Sequence, residues 1–178
     1  MLKVDSEQNL GRAKNAIQDY LVRKLLYPKI YLDADWNGTH VDVLAIDRTG
    51  VGDVHAVRLV LWEPGHSDDH GWSAFLERRV GEAMQQFADF PGQFRYVAVV
   101  SIEANKQRWI PGKPSLSQSL AADGVGRIGI LYVDVTEQDP STQLQLLLKP
   151  ERFRSSKQIM ELADQYMAAN EANWELRE

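Results

Sequence analysis

The chain has no cysteine, which excludes disulfides and thiolate metal sites and agrees with a reducing, cytoplasmic setting. It has no apolar run near the ~18 residues that a membrane-spanning helix requires, so no membrane partner is expected. The N-terminal MLKVDSEQNLGRAK is polar and lacks a signal-peptide core. Long basic runs, internal repeats, low-complexity tracts and linkers are missing as well. The net charge is −5, which argues against a tight, non-specific nucleic-acid binder, because phosphate neutralisation dominates such affinity. A local basic patch stays compatible with that balance. What is there amounts to 178 residues, 44% hydrophobic and 25% charged. That is the size and composition of one globular domain, residues 1–178, able to bury a core without staples.

Periodicity supplies the elements. Leu10, Ala13, Ile17, Tyr20, Leu21 and Leu25 recur at helical steps, predicting a helix over 6–27 with Ser6 as N-cap and Pro28 as its stop. Ile30 to Leu32 reads as a short strand and Asp33 to Gly38 as a turn, with Asn37-Gly38 a strong hairpin signal. Val41 to Ile46 and Val54 to Trp62 read as buried strands joined by RTGVGD. Trp72, Phe75, Leu76, Val80, Ala83, Met84 and Phe87 form one stripe of an amphipathic helix. Phe94 to Ile102, Arg127 to Val135 and Gln143 to Leu148 read as further strands, and Ser117 to Ala122 as a short helical turn. A final helix is capped by Ser155 or Ser156 and places Ile159, Met160, Leu162, Ala163, Tyr166 and Met167 inward; its tail, ANEANWELRE, is expected to fray. The fold class is therefore α/β, a mixed sheet flanked by helices.

The segment HVDVLAIDRTGVGDVHAVRLVLWE, His40 to Glu63, carries one acid, Asp42, within its first strand. This layout, and the order α-β-β-β-α-β over roughly residues 10 to 135, resembles the restriction-endonuclease-like core of the PD-(D/E)XK nucleases, here with extra C-terminal strands and a helix. The resemblance implies a first acid at Asp42 and an acid-x-lysine triplet on the next strand, which would together hold Mg²⁺ and activate water. The proline that often precedes the first acid is Val41 here. The triplet falls on Arg58-Leu59-Val60. Arg58 sets a cation where a ligand belongs, and Val60 can stabilise no charge. His55-Ala56-Val57 offers neither acid nor lysine, and Leu61-Trp62-Glu63 offers an acid alone. The expectation is a non-catalytic nuclease-fold protein that binds a protein or nucleic-acid partner, needing no cofactor, with Asp42 paired to Arg58 across the hairpin. The rival is a Mg²⁺-dependent nuclease with a rearranged site around Asp42 and Glu63. Gln86 to Phe90 echoes, as a chance match, the Gln-x-x-x-Tyr motif of some exonuclease branches. A third reading is a small self-associating protein without nucleic-acid function, dimerising through the helix at 72–87 or the edge strand 143–148.

Other candidate groups follow from charge and composition. Lys106, Arg108, Trp109 and Lys113 place cations beside an aromatic in one long loop, the best nucleic-acid contact in the chain. Lys149, Arg152, Arg154 and Lys157 form a second basic group, two of them at a helix start where the dipole disfavours cations. Asp33 and Asp35 are read first as turn formers, and as an extension of an acidic site near Asp42 otherwise. His66, Asp68, Asp69 and His70 read as a solvated loop before a metal site. Gly112-Lys113-Pro114-Ser115 lacks the upstream glycine of a phosphate loop. Gly124-Val125-Gly126 precedes a strand rather than joining strand to helix, so it is no dinucleotide fingerprint.

Overall fold

The computed structural model describes residues 2–50, 52–62, 71–87, 90–102, 128–138, 143–153 and 157–175. Nine elements are found there. They are α1 (Leu2–Lys24), β1 (Pro28–Trp36), β2 (Thr39–Asp47), β3 (Asp53–Trp62), α2 (Gly71–Gln86), β4 (Phe94–Ser101), β5 (Gly129–Asp134), β6 (Leu144–Leu148) and α3 (Lys157–Glu175). The six strands form one sheet in chain order. The first three run as an antiparallel meander, β3, β4 and β5 are mutually parallel, and β6 returns antiparallel. The sequence-based class, a mixed sheet flanked by helices, is what the chain adopts.

Two apolar clusters lie on opposite faces of this sheet. On one face Ala13, Ala16, Ile17 and Leu21 of α1 pack on Val43, Ala45, Val57, Tyr96, Ala98, Val100, Leu131 and Val133. On the other, Val80, Ala83 and Met84 of α2 and Ile159, Met160, Ala163 and Met167 of α3 cover Leu44, Ile46, Val54, Ala56, Val60, Val97, Val99 and Ile130. Strands β4 and β5 are apolar on both faces because both are covered, as parallel strands require. An aromatic group closes the β1 side. Trp36 lies 5.4 Å from Tyr166 and 6.3 Å from Phe90 between ring centroids, and Tyr31 meets Tyr166 edge-on at 5.2 Å.

Several boundaries differ from the sequence reading. Helix α1 begins at Leu2, so Ser6 is an interior residue rather than a cap, and it ends at Lys24, four residues before Pro28. Strand β1 runs through the expected turn to Trp36, and only Asn37-Gly38 turn the chain, with φ of 48° and 79°. Two residues with positive φ are what a tight hairpin of this twist demands. Helix α3 extends to Glu175, through most of the tail expected to fray. The side chains of Trp72, Phe75 and Leu76 lie outside the described ones, as do the helical turn at 117–122 and the caps Ser155 and Ser156.

Candidate functional site

The sheet splits at Asp42. Strands β2 and β3 pair from Val43↔Val57 to Asp47↔Asp53. Before Val43, β2 pairs with β1 alone, and after Val57, β3 pairs with β4 alone. Two side chains cross the resulting fork. Asp42 Oδ2 accepts the backbone N–H of Leu59 at 2.8 Å, and Arg58 Nη1 donates to the carbonyl of His40 at 2.9 Å. A charged acceptor on a backbone donor contributes about 1.5–3 kcal/mol, so Asp42 replaces a missing ladder bond.

The alternation of β2 slips at this point. Val41 and Leu44 both belong to the α2/α3 face, while Val43 belongs to the α1 face. Strand β1 slips at the same level. Tyr31 and Ala34 share the α2/α3 face, and Asp33 between them has φ 51°, a left-handed conformation that aspartate tolerates. Leu32↔Val43 and Ala34↔Val41 keep one register, which leaves Asp33 opposite Asp42. Donor atoms of Asp33, His40 and Asp42 consequently converge within 4.8 Å of one another. Lys14 of α1 reaches Asp33 Oδ1 at 2.5 Å, which places the group on the α1 face.

This geometry corrects the expected Asp42–Arg58 pair. Among the described residues no ion pair joins them; each bonds a backbone group instead. The physical reason is the slip. Asp42 is turned to the α1 face, whereas Arg58 alternates with Ala56 and Val60 on the α2/α3 face. Beyond Val57, the residues of β3 that share the face of Asp42 are Leu59 and Leu61, both packed against the α1 cluster. Asp33 does approach Asp42, the arrangement first read as the secondary option beside a simple turn. Asp35 stays outside the group, 4.0 Å from His40 Nδ1 and well exposed.

The Asp33, His40 and Asp42 donors are already in part engaged. One Asp33 oxygen is neutralised by Lys14, one Asp42 oxygen holds Leu59, and Asp33 and His40 are exposed. Glu63, Lys106, Arg108, Trp109 and Lys113 lie outside the described residues, as do the loop with His66, Asp68, Asp69 and His70, and Arg154. Of the second basic group, Arg152 pairs with Asp53 at 2.6 Å and Lys157 with Glu161 at 3.7 Å.

A buried polar group at the opposite end of β3 had no signal in the sequence. His55 is 1% exposed and stacks on Phe94 at 4.5 Å. Lys24 Nζ donates to the Tyr96 hydroxyl at 2.6 Å, and that hydroxyl lies 3.4 Å from His55 Nδ1. Burial first, and then the charge of Lys24, push the His55 pKa down to about 3. Burial likewise pushes the Tyr96 hydroxyl up. Asp47, also buried, accepts from Thr49 N at 2.8 Å, Thr49 Oγ1 at 2.6 Å and Leu26 N at 3.2 Å. Burial alone would raise its pKa, but those bonds, with His55 nearby, leave it lowered. His55 and Tyr96 sit at apolar positions of two buried strands, and only β3–β4 pairing brings them together. Within this group the His55 imidazole is neutral and buried, and its contacts with Phe94 and Tyr96 join β3 to β4.

An α/β sandwich with a forked sheet, and with Asp33 and Asp42 facing each other at the fork, is what the fold and site define. No protein-family model matches the chain, and no curated protein matches it.

Proposed function

We propose that this is a non-catalytic domain of the nuclease-like fold that acts by binding a partner. The run α1-β1-β2-β3-α2-β4 supports the fold part of this reading. It follows the order that the resemblance implies, with a strand meander and a helix crossing to a parallel strand. One observation carries the functional part. On the face of the fork that holds Asp42, the adjacent β3 positions are Leu59 and Leu61. A hydrolytic site of this type needs a second carboxylate and a lysine there, to hold a divalent ion and stabilise developing charge. Two leucines supply neither from β3, and Asp42 gives one of its two carboxylate oxygens to the Leu59 N–H.

The rival, a Mg²⁺-dependent nuclease with a site rearranged around Asp42 and Glu63, draws on the approach of Asp33 and His40 to Asp42. The two readings separate in one experiment. Wild type and Asp42→Ala are incubated with single-stranded DNA, double-stranded DNA and RNA in Mg²⁺ and in Mn²⁺. The expected outcome is intact substrate with both folded proteins. Cleavage by wild type that Asp42→Ala abolishes would establish the rival.

A further inference from the structure

The most exposed large apolar side chains among the described residues sit together where α1 leaves for β1. Leu26 is 75% exposed, Tyr27 79% and Val22 49%. Val22 lies in the last turn of α1, four residues before Leu26, and helical bonding runs on to the Leu25 N–H, which donates to the Leu21 carbonyl at 2.9 Å. The backbone beneath them is fixed. The Leu26 N–H donates to buried Asp47, which Thr49 holds in turn. Tyr27 precedes Pro28, which restricts it to extended conformations, and Pro28 pairs with Asp47 in the β1/β2 ladder. The chain is thus held at consecutive points while two large apolar side chains project into water. Apolar groups clustered in this way mark interaction sites, and anchors presented on a fixed backbone lose little entropy on binding.

The charge around this tip is also unusual for an acidic chain. Arg23 Nε donates to the Asp19 carbonyl and Lys24 to the Tyr96 hydroxyl, and among the described residues neither has a carboxylate in ion-pair range. Lys149, at the end of β6, lies close enough to repel the Lys24 ammonium. By contrast Lys14, Lys29, Arg48 and Arg152 each meet an acid, respectively Asp33, Glu171, Asp164 and Asp53.

We infer that Val22, Leu26 and Tyr27, flanked by the exposed cation Arg23, form a docking surface for an acidic segment of a partner protein that also carries apolar side chains. The inference rests on the reading of the chain as a binding domain and names the chemistry of the partner. A nucleic-acid strand would want a row of aromatics along a basic groove; the tip has one aromatic and two aliphatics. A membrane surface would want a larger apolar face than three side chains supply.

The test starts from a phage-displayed library of random peptides, selected on the full chain. Enriched peptides are synthesised and titrated by fluorescence anisotropy against wild type, Leu26→Ser/Tyr27→Ser and Arg23→Glu. All three substituted side chains are exposed, so circular dichroism melting should show folded variants. The expected peptides combine Asp or Glu with Leu, Ile or Phe. Their affinity should fall about tenfold or more in the double variant, and less in Arg23→Glu, with a loss that shrinks as salt is raised. No enrichment, peptides without acids, or binding that the variants retain would overturn the inference. So would binding of an oligo-dT strand or of phosphatidylserine vesicles that depends on Leu26 and Tyr27. None of these results bears on cleavage, so the surface and the non-catalytic reading stand or fall separately.

Discussion

At the scale of single residues, His55 shows how burial sets chemistry. Its imidazole is neutral in the fold, with a pKa near 3, whereas in the unfolded chain it titrates near 6.5. Below 6.5 the unfolded state therefore binds the extra proton, and stability falls with pH until about 3. The slope approaches about 1.4 kcal/mol per pH unit. Asp47, with its lowered pKa, adds a separate loss that begins as pH falls through the ordinary carboxylate range and continues below it. Urea-unfolding free energies measured between pH 6 and 4.5 should thus decline for wild type and decline much less for His55→Phe, which keeps a ring against Phe94. Equal slopes in the two proteins would show that His55 is not the group responsible.

At the scale of elements, turns and slips decide where side chains go. Asn37-Gly38 is a hairpin signal that local chemistry explains completely, and the turn forms where it is read. Gly52, between β2 and β3, has φ 76°, and a Cβ there would collide with the Met160 side chain of α3. The turn and the α3 packing thus share one position. Gly52→Ala should cost about 1–3 kcal/mol, chiefly from backbone strain at that φ, since the tip of Met160 can shift, read as a lower urea midpoint with an unchanged denaturant slope. The paired slips at Asp33 and Asp42 are the opposite case. Neither residue announces a bulge, yet the slip turns Asp42 away from Arg58 and toward Lys14's face of the sheet. Strict two-residue alternation, applied to β2, therefore assigns Asp42 to the wrong neighbours.

At the scale of the whole molecule, the sheet is covered by α1 on one face and by α2 and α3 on the other, and an apolar core is buried on each face. No helix among the described residues is long and apolar enough to cross a membrane. A ligand that binds only the native state raises the melting temperature by mass action. If Asp33, His40 and Asp42 hold no metal, millimolar Mg²⁺ or a chelator should leave the melting temperature unchanged within about 1 °C. A rise with Mg²⁺ that Asp33→Ala removes would revive the metal-dependent alternative.

The sequence by itself determined the α/β class, the main strands and helices and the position of Asp42 at the head of a buried strand. Hydrophobic period and turn chemistry are local, and a residue carries them wherever it sits. It also determined that no acid-x-lysine triplet follows Asp42, because that is a matter of residue identity. Only the tertiary structure decided which face Asp42 takes, that Leu59 and Leu61 lie across the fork from it, that His55 meets Tyr96 and Lys24, and that Asp47 fixes the backbone at Leu26. Each of these depends on pairing between segments distant in the chain. A register is a property of two strands, and a slip in it leaves no trace in the period of either one.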